Sequence, residues 1–592
     1  MTQTPRAGQA PRAGQVGDDW CIDSLKLNER FPVYTRFNAN DVLPDPITPL
    51  GADLIWNPHI LPGFSNAYAD MGAISVAEAN VDQDAFPAAA FRYGHMYVNV
   101  TTARLTGIRS GLGWQAIDAQ FFGSHPDAPP HEDHPDDGDP VTSQRLAERT
   151  QWTLTTSSFP DIEEDTRIAD RLRSQRPDFD EMSNAALVAY ARSLAPYERM
   201  TWRGELVGGA QAAIGPAVLG SLIPADLGYS PFDLVGPAGD VVSAQPSYAL
   251  WDLSRLVRAD AALMELFDAG VDGLVPWLKD NHPEFHQRFM AFLREFGYRG
   301  PSEWDLGADS WETKPELPLA LVDRMRFLDD DQSPVARRAV GMQSAEEAVA
   351  RVSEALAGSE EALATMRLAL SSARRFAGYR ELGKSNCIKV INEARVALRE
   401  FGVRLTNEGH LDHPQQIFMA LDNELDRLVL EPALVTANLK QREQDWKAYF
   451  DLEVPLFLDA RAPRVPVAQV PRKAAASFPV AGVGETLSAI AAAAGRASGR
   501  ARVIHDPGAI AEFEPGDVLI APQTDPSWTP LFVVSSAVVV GVGAPNSHAM
   551  IVSRELGIPC VAGLEGATHR IPDGAIVTVD GSAGTVTIDS LG

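Results

Sequence analysis

Apolar and polar positions divide the 592-residue chain into stretches of different period. From Trp20 to about Phe289, short apolar runs broken by Pro and Gly alternate with helical patterns. There "RYGHMYVNVT" reads as a strand and "NAALVAYARSLAPYERMTWRGELV" as an amphipathic helix, so this part is expected to mix α and β. From Ser344 to Leu430 the period is mostly helical. "SAEEAVARVSEALAG", "SEEALATMRLALSSARRFAGYRELG" and "SNCIKVINEARVALREFG" predict long packed helices, with N-caps and early acids at the Ser-Ala-Glu-Glu and Ser-Glu-Glu openings and stops at Gly358, Gly383 and Gly402.

The pattern breaks at "LDARAPRVPVAQVPRKAAASFPVAG", Leu458 to Gly482, where Pro, Ala and basic residues dominate and no apolar period persists; this reads as a linker. After it come the strand-like runs "ARVIHD", "GDVLIAP", "SSAVVVGVG", "IPCVAG", "AIVTVDG" and "TVTIDS", with one clear helix after Ser547. The expected fold class is α+β multidomain: a disordered tail at 1–19, a large mixed and then helix-rich domain at 20–457 (helix-rich from about 344), a linker at 458–482 and a small α/β domain at 483–592.

Composition narrows the function. A formal net charge of -28 argues against a nucleic-acid partner, which calls for clustered Lys and Arg. Cys21, Cys387 and Cys560 lie far apart with no CxxC pairing, giving neither a disulfide framework nor a zinc site and suiting a reducing cytoplasm. The N-terminus shows no apolar stretch of signal-peptide type, and the longest apolar run, near Phe532 to Gly543, is too short to cross a bilayer, so no membrane role is expected.

The candidate chemistry starts at "APNSHAMIVSRELGIP". Met550, Ile551 and Leu556 predict a short helix that Gly557-Ile558-Pro559 ends, with Ser547 as N-cap and His548 in the first turn. Free backbone N–H groups and the positive end of the helix dipole meet there, so an anion on His548 is stabilised. A phosphoryl group on an imidazole nitrogen is one such anion, and neutral imidazole is a competent nucleophile. On local geometry alone, an ordinary polar first-turn residue is the commoner reading.

"EPGDVLIAPQTDPSWTPLF", "SHAMIVSRELGIPCVAGLEGAT" and "IPDGAIVTVDGSAGTV" together resemble the swivelling phosphohistidine domain of phosphoenolpyruvate synthase, pyruvate phosphate dikinase and rifampin phosphotransferase. The resemblance covers almost the whole C-terminal segment. It implies that His548 carries the phosphoryl group, with Ser547 and Arg554 supporting it. Just upstream, Val540-Gly541-Val542-Gly543-Ala544 stands where relatives read like Thr-Glu-x-Gly-Gly. "FNANDVLPDPITPL", "FGYRGPSEWDLGADSW" and "ALREFGVRLTNEGHLDHPQQIFMALDNEL" resemble the substrate-binding region of rifampin phosphotransferase and related synthases.

Within "GYRELGKSN", Arg380 and Lys384 are four residues apart near an expected helix boundary, so they can share a face and converge on one phosphoryl group. A solvated basic patch is the plainer reading; the rifampin phosphotransferase pattern has Arg and Lys at this spacing, which implies a catalytic role. Arg299 stands where related enzymes read His-Arg-Gly and is an expected substrate-binding residue, with Tyr298 in place of the His. His131 and His134 in "PHEDHPDDGDP" have metal-like residue types but read as an exposed acidic loop, and no metal site is expected.

No stretch resembles the ATP-grasp module of these dikinases, nor the phosphoenolpyruvate/pyruvate barrel that follows the histidine domain in the synthases. The resemblance therefore implies a split enzyme like phenylphosphate synthase and the kinases of hydroxyaryl ketones. ATP and Mg2+ would be bound mainly by a separate ATP-grasp subunit, and a small phenolic compound would leave as aryl phosphate with AMP and phosphate. The alternatives are a component of an antibiotic (rifamycin-like) phosphotransferase and a non-catalytic scaffold or regulator that retains a swivel domain.

Overall fold

The computed structural model describes residues 21–24, 26–37, 39–80, 85–122, 125, 127–237, 242, 244–473, 478–505, 513–524, 528–543 and 547–592. The tail expected at 1–19 and residues 544–546 ahead of His548 lie outside the described residues.

The large domain is mainly helical around one four-stranded antiparallel sheet. Its strands are β1 (Val33–Thr35), β2 (Ala89–Arg92), β3 (His95–Asn99) and β4 (Phe457–Asp459), in the order β2-β3-β1-β4. The stretch read as one strand is a hairpin: Arg92 pairs with His95, and Tyr93 and Gly94 turn the chain with φ of 56° and 73°. Two positive φ values in a two-residue loop match the twist of the flanking strands, and glycine takes one at no steric cost.

The centre of the domain is a single helix of 48 residues, Glu360–Asn407. It runs straight through Gly383 and Gly402, the expected stops. A glycine inside a helix costs about 1 kcal/mol relative to alanine, and close packing explains its presence at both sites. A Cβ at Gly402 would lie 2.3 Å from the carbonyl oxygen of Pro414, and one at Gly383 would lie 3.0 Å from Cα of Glu205. The second contact brings the long helix against another, Asn184–Ala212, and the fully buried Cys387, Ile388, Ile391, Leu398 and Phe401 fill the core beside it.

The first half of the expected linker belongs to this domain. β4 pairs with β1, Val467 and Val470 are buried in the main core, and Lys473 N still donates to Asp451 O at 2.6 Å. On the far side, Phe478 already packs over Gly566 and beside His569. The expected linker 458–482 is thus held by contacts at both of its ends, and residues 474–477 lie outside the described residues. Its Pro-rich sequence shows no period because it is held by isolated valines and a three-residue strand.

The small domain is built on an eight-stranded sheet. The strands are β5 (Thr486–Ser488), β6 (Ile490–Ala493), β7 (Arg496–Val503), β8 (Val518–Ala521), β9 (Ala537–Val540), β10 (Cys560–Ala562), β11 (Ile576–Asp580) and β12 (Thr585–Ser590), in the order β5-β12-β11-β7-β8-β9-β10-β6. The centre, β7 to β10, is parallel, and β8, β9 and β10 are buried at every position, as their unbroken Val/Ile/Ala runs require. Each of the six strand-like runs has its strand. β6 carries no such signal, since "AIAAAAG" is alanine-rich, and β5 is only three residues long. A continuous apolar cluster joins Leu250, Phe289 and Met325 of the large domain to Phe532, Met550 and Leu556 of the small one. The two domains are therefore docked.

One buried acid on the core helices affects stability. Asp165, on the helix Pro160–Ser174, is 5% exposed, and its Oδ2 occupies the space that a Cβ on Gly204 would need, 2.4 Å away. Desolvation, with help from Asp161 and against Arg203, pushes its carboxyl up to about 7. The folded form then holds a proton that the unfolded chain sheds near pH 4, so this group's contribution is fully present below that pH and is lost as pH rises through about 7. Asp165→Asn mimics the protonated form. It is expected to gain about 1–3 kcal/mol over the parent at pH 8 and almost nothing at pH 4. Melts at the two pH values check this; an equal gain at both is the contrary result.

Candidate functional site

The helix His548–Leu556 starts where expected. Ser547 holds the N-cap position with φ -68° and ψ 158°, and Gly557 ends the helix in the left-handed region at φ 63°, with Ile558 N donating to Ser553 O. The Ser547 hydroxyl makes no capping bond; it is buried and has no hydrogen-bond partner among the described residues. His548 is placed by its backbone as the first helical residue. Ser547, Ile551 and Arg554 share the face turned to the large domain, where all three line a cavity of about 450 Å³. Arg554 also joins the domains: its Nε donates to Ala492 O at 2.7 Å and its guanidinium lies 4.3 Å from the ring centre of Phe232.

The same cavity is also lined by Arg380 and Lys384. They sit in the middle of the long helix rather than near a boundary, because Gly383 does not end it. They share one face, as their spacing predicts, and they converge on an acid that sequence reading passed over. Glu381 Oε1 accepts from Arg380 Nη1 at 2.8 Å and lies 3.6 Å from Lys384 Nζ. Glu381 is 4% exposed and also lines the cavity. The only signal for it was an acid lying between the two basic residues in "YRELGK".

A second acid missed in the sequence is Glu205, which faces the same three side chains from the neighbouring helix and lines the cavity. Burial pushes its carboxyl above the ordinary value and Glu381 adds to this, while Lys384 and Arg380 pull it down. Apart from Thr106, Ser547 and Arg554, the rest of the lining is largely apolar and rich in rings: Phe64, Tyr68, Phe121, Trp202, Phe232 and Trp304.

Arg299 is not among the residues lining this cavity. It is 1% exposed, its Nη1 donates to Glu303 Oε1 at 2.8 Å, and its guanidinium lies 5.4 Å from the Tyr298 ring. Glu303 and Glu381 both hold its charge in place. Tyr298 Oη and Ser385 Oγ, 2.7 Å apart, tie this loop to the long helix one residue beyond Lys384. His131 is likewise more enclosed than an exposed loop would allow: its side chain is 2% exposed and its Nε2 lies 3.1 Å from Asp137, which Arg30 also holds. His131, Asp133 and Asp137 bring potential ligand atoms within 4.8 Å of one another, but Asp133 is fully exposed and Asp137 already has its partners.

The arrangement thus brings the start of a helix from the small domain into one largely apolar cavity with two cations and two acids, which suits transfer of an anionic group. Comparison with known proteins bears on which group. Residues 206–381 match the profile of the rifampicin phosphotransferase fourth domain, and residues 513–584, which include His548, match the mobile domain of the PEP-utilising enzymes. Two segments of the chain thus match domains of the PEP-utilising, rifampicin phosphotransferase-like family. A rifampicin phosphotransferase of Streptomyces sviceus is 30% identical over 361 residues, 59% of this chain and 40% of that protein. An uncharacterised phosphotransferase of Bacillus subtilis is 32% identical over 360 residues, 59% of this chain and 42% of its own length. An uncharacterised protein of Mycobacterium tuberculosis is 31% identical over 354 residues, 60% and 37% respectively. The chain therefore spans about two fifths of the length of these relatives. Among the described residues, no helix is long and apolar enough to cross a membrane.

Proposed function

We propose that this chain is the acceptor-side part of an ATP-dependent phosphotransferase of the dikinase type. The observation that carries the reading is the shared cavity: Ser547 and its helix from the small domain meet Arg380, Glu381 and Lys384 of the large one across about 450 Å³. His548 relays a phosphoryl group that an ATP-grasp partner takes from MgATP, and the acceptor hydroxyl receives it, giving a phosphate monoester, AMP and phosphate. Arg380 and Lys384 face the charge on the equatorial phosphoryl oxygens, and Glu381 holds the two cations in one place.

The acceptor is an apolar hydroxyl compound with ring character, since the lining apart from the charged cluster is aromatic and aliphatic. A phenolic hydroxyl suits the cations because its pKa of about 10 lets them favour partial phenolate character. The volume favours a multi-ring phenol or a hydroxylated macrocycle over a single-ring phenol, as cavities of roughly 300–1,000 Å³ take drug-sized ligands. The test mixes the chain with an ATP-grasp protein encoded beside it, MgATP, and single-ring phenols, naphthols and rifampicin in separate reactions, following AMP and the phosphate monoester. Formation of both products with the larger acceptors is expected. AMP without any monoester would refute acceptor transfer, and full turnover by the chain with MgATP alone would refute the need for a partner.

A further inference from the structure

The proposed transfer leaves one question open in chemical terms: where the acceptor proton goes. The cavity is largely apolar, so bulk water is a poor proton acceptor there, and Glu381 Oε1 is already shared between Arg380 and Lys384. Glu205 differs from Glu381 in this respect. It lines the same cavity, and no side chain or backbone donor among the described residues hydrogen-bonds its carboxylate. Its position follows from backbone packing. Because residue 383 has no side chain, the long helix approaches so closely that a Cβ there would meet Glu205 Cα at 3.0 Å and Glu205 Cβ at 3.4 Å. That contact sets Glu205 beside residues 380, 381 and 384.

Resting on the phosphotransfer reading above, we propose that Glu205 is the catalytic base, taking the proton from the acceptor hydroxyl as its oxygen attacks the phosphoryl group carried by His548. The O–H bond breaks and its proton moves to the Glu205 carboxylate. The new P–O bond forms as the P–N bond breaks, and the P–N electron pair returns to the imidazole. The other imidazole nitrogen carries a proton, so the ring leaves neutral. Nothing is oxidised or reduced. When the monoester departs, Glu205 passes its proton to solvent.

Electrostatics fit this role. Burial, and after it Glu381, raises the proton affinity of Glu205, while Lys384 and Arg380 limit the rise; Cys387 on the long helix also faces it. A base is most effective when its pKa lies near the working pH, and general-base catalysis is worth about 10²-fold to 10⁴-fold.

The test uses the full chain phosphorylated with potassium phosphoramidate and measures single-turnover transfer to 2-naphthol and to rifampicin as a function of pH. The parent is expected to slow as pH falls and Glu205 takes up its proton. Glu205→Gln is expected to transfer about 10²-fold to 10³-fold more slowly at pH 7 and to lose that acidic limb, with its affinity for the acceptor unchanged. Glu205→Asp is expected to recover part of the rate together with the limb, which separates proton transfer from a packing role. If Glu205→Gln transfers at the parental rate or keeps the acidic limb, the assignment is overturned. If Glu205→Asp folds but shows neither rate nor limb above Glu205→Gln, it is overturned as well. If the phosphorylated parent transfers to neither acceptor, the phosphotransfer reading falls, and this assignment falls with it.

Discussion

His548→Ala is expected to leave the chain folded and to reduce phosphoryl transfer to background. Alanine is the best helix former and His548 opens a nine-residue helix, so the backbone has no reason to change. Chemically the loss is complete, because a covalent relay has no partial substitute: without the imidazole nitrogen there is no atom to hold the phosphoryl group between donor and acceptor. The checks are an acid-labile, base-stable phosphoryl label on the protein, which should vanish, and a thermal melt, which should match the parent. A well-folded variant that still turns over would remove the relay from the mechanism.

The next largest effect is expected at the acceptor-side cations. Phosphoryl transfer passes through a loose transition state with charge spread over the equatorial oxygens, so positioned cations matter more than covalent chemistry. Arg380→Ala or Lys384→Ala should lower transfer from phosphorylated chain to acceptor by about 10²-fold to 10³-fold, the loss seen for single transition-state donors. Loading of His548 by the partner should change little. The two substitutions should not be equivalent, because Arg380 makes the closer contact to Glu381, 2.8 Å against 3.6 Å for Lys384. Arg380→Ala should therefore also lower the melting temperature more, because the buried Glu381 carboxylate loses its closer cation. Single-turnover measurement separates the two halves of the reaction. Normal transfer by both variants would place the acceptor site elsewhere.

Much of the small domain was legible in its sequence, because β8, β9 and β10 are buried on both faces and so become short unbroken apolar runs. The helix after Ser547 was legible too, since serine before it and glycine after it serve there as ordinary helix punctuation. The same glycine rule failed at Gly383 and Gly402. Both glycines lie where another backbone comes within contact distance, and a local pattern carries no trace of a neighbour that lies far off in sequence, at Glu205 for the first. Arg380 and Lys384 could be found because their spacing is helical. Glu381 and Glu205 could not: an acid beside basic residues is the commonest surface pattern, and only the fold shows both turned inward. Arg299 was read from the company it keeps in its motif, yet it is committed to Glu303 away from the cavity lining.

The division of labour around the cavity has a consequence for how such a protein can change over generations. Arg380, Glu381 and Lys384 all come from one uninterrupted helix, whose other contributions to the lining, Ala373 and Ala377, are small. Most of the bulky surfaces come from elsewhere, Trp202 alone sharing the helix Asn184–Ala212 with Glu205: Phe64 and Tyr68 come from the helix Leu61–Met71, Phe121 from the end of Trp114–Phe121, Phe232 from Pro231–Val235, and Trp304 from a loop. Substitutions on those short, separate segments reshape what fits without displacing the charged group at the centre of a 48-residue strut. Selection for a new acceptor can therefore act on the walls one residue at a time, while the reaction itself is inherited unchanged.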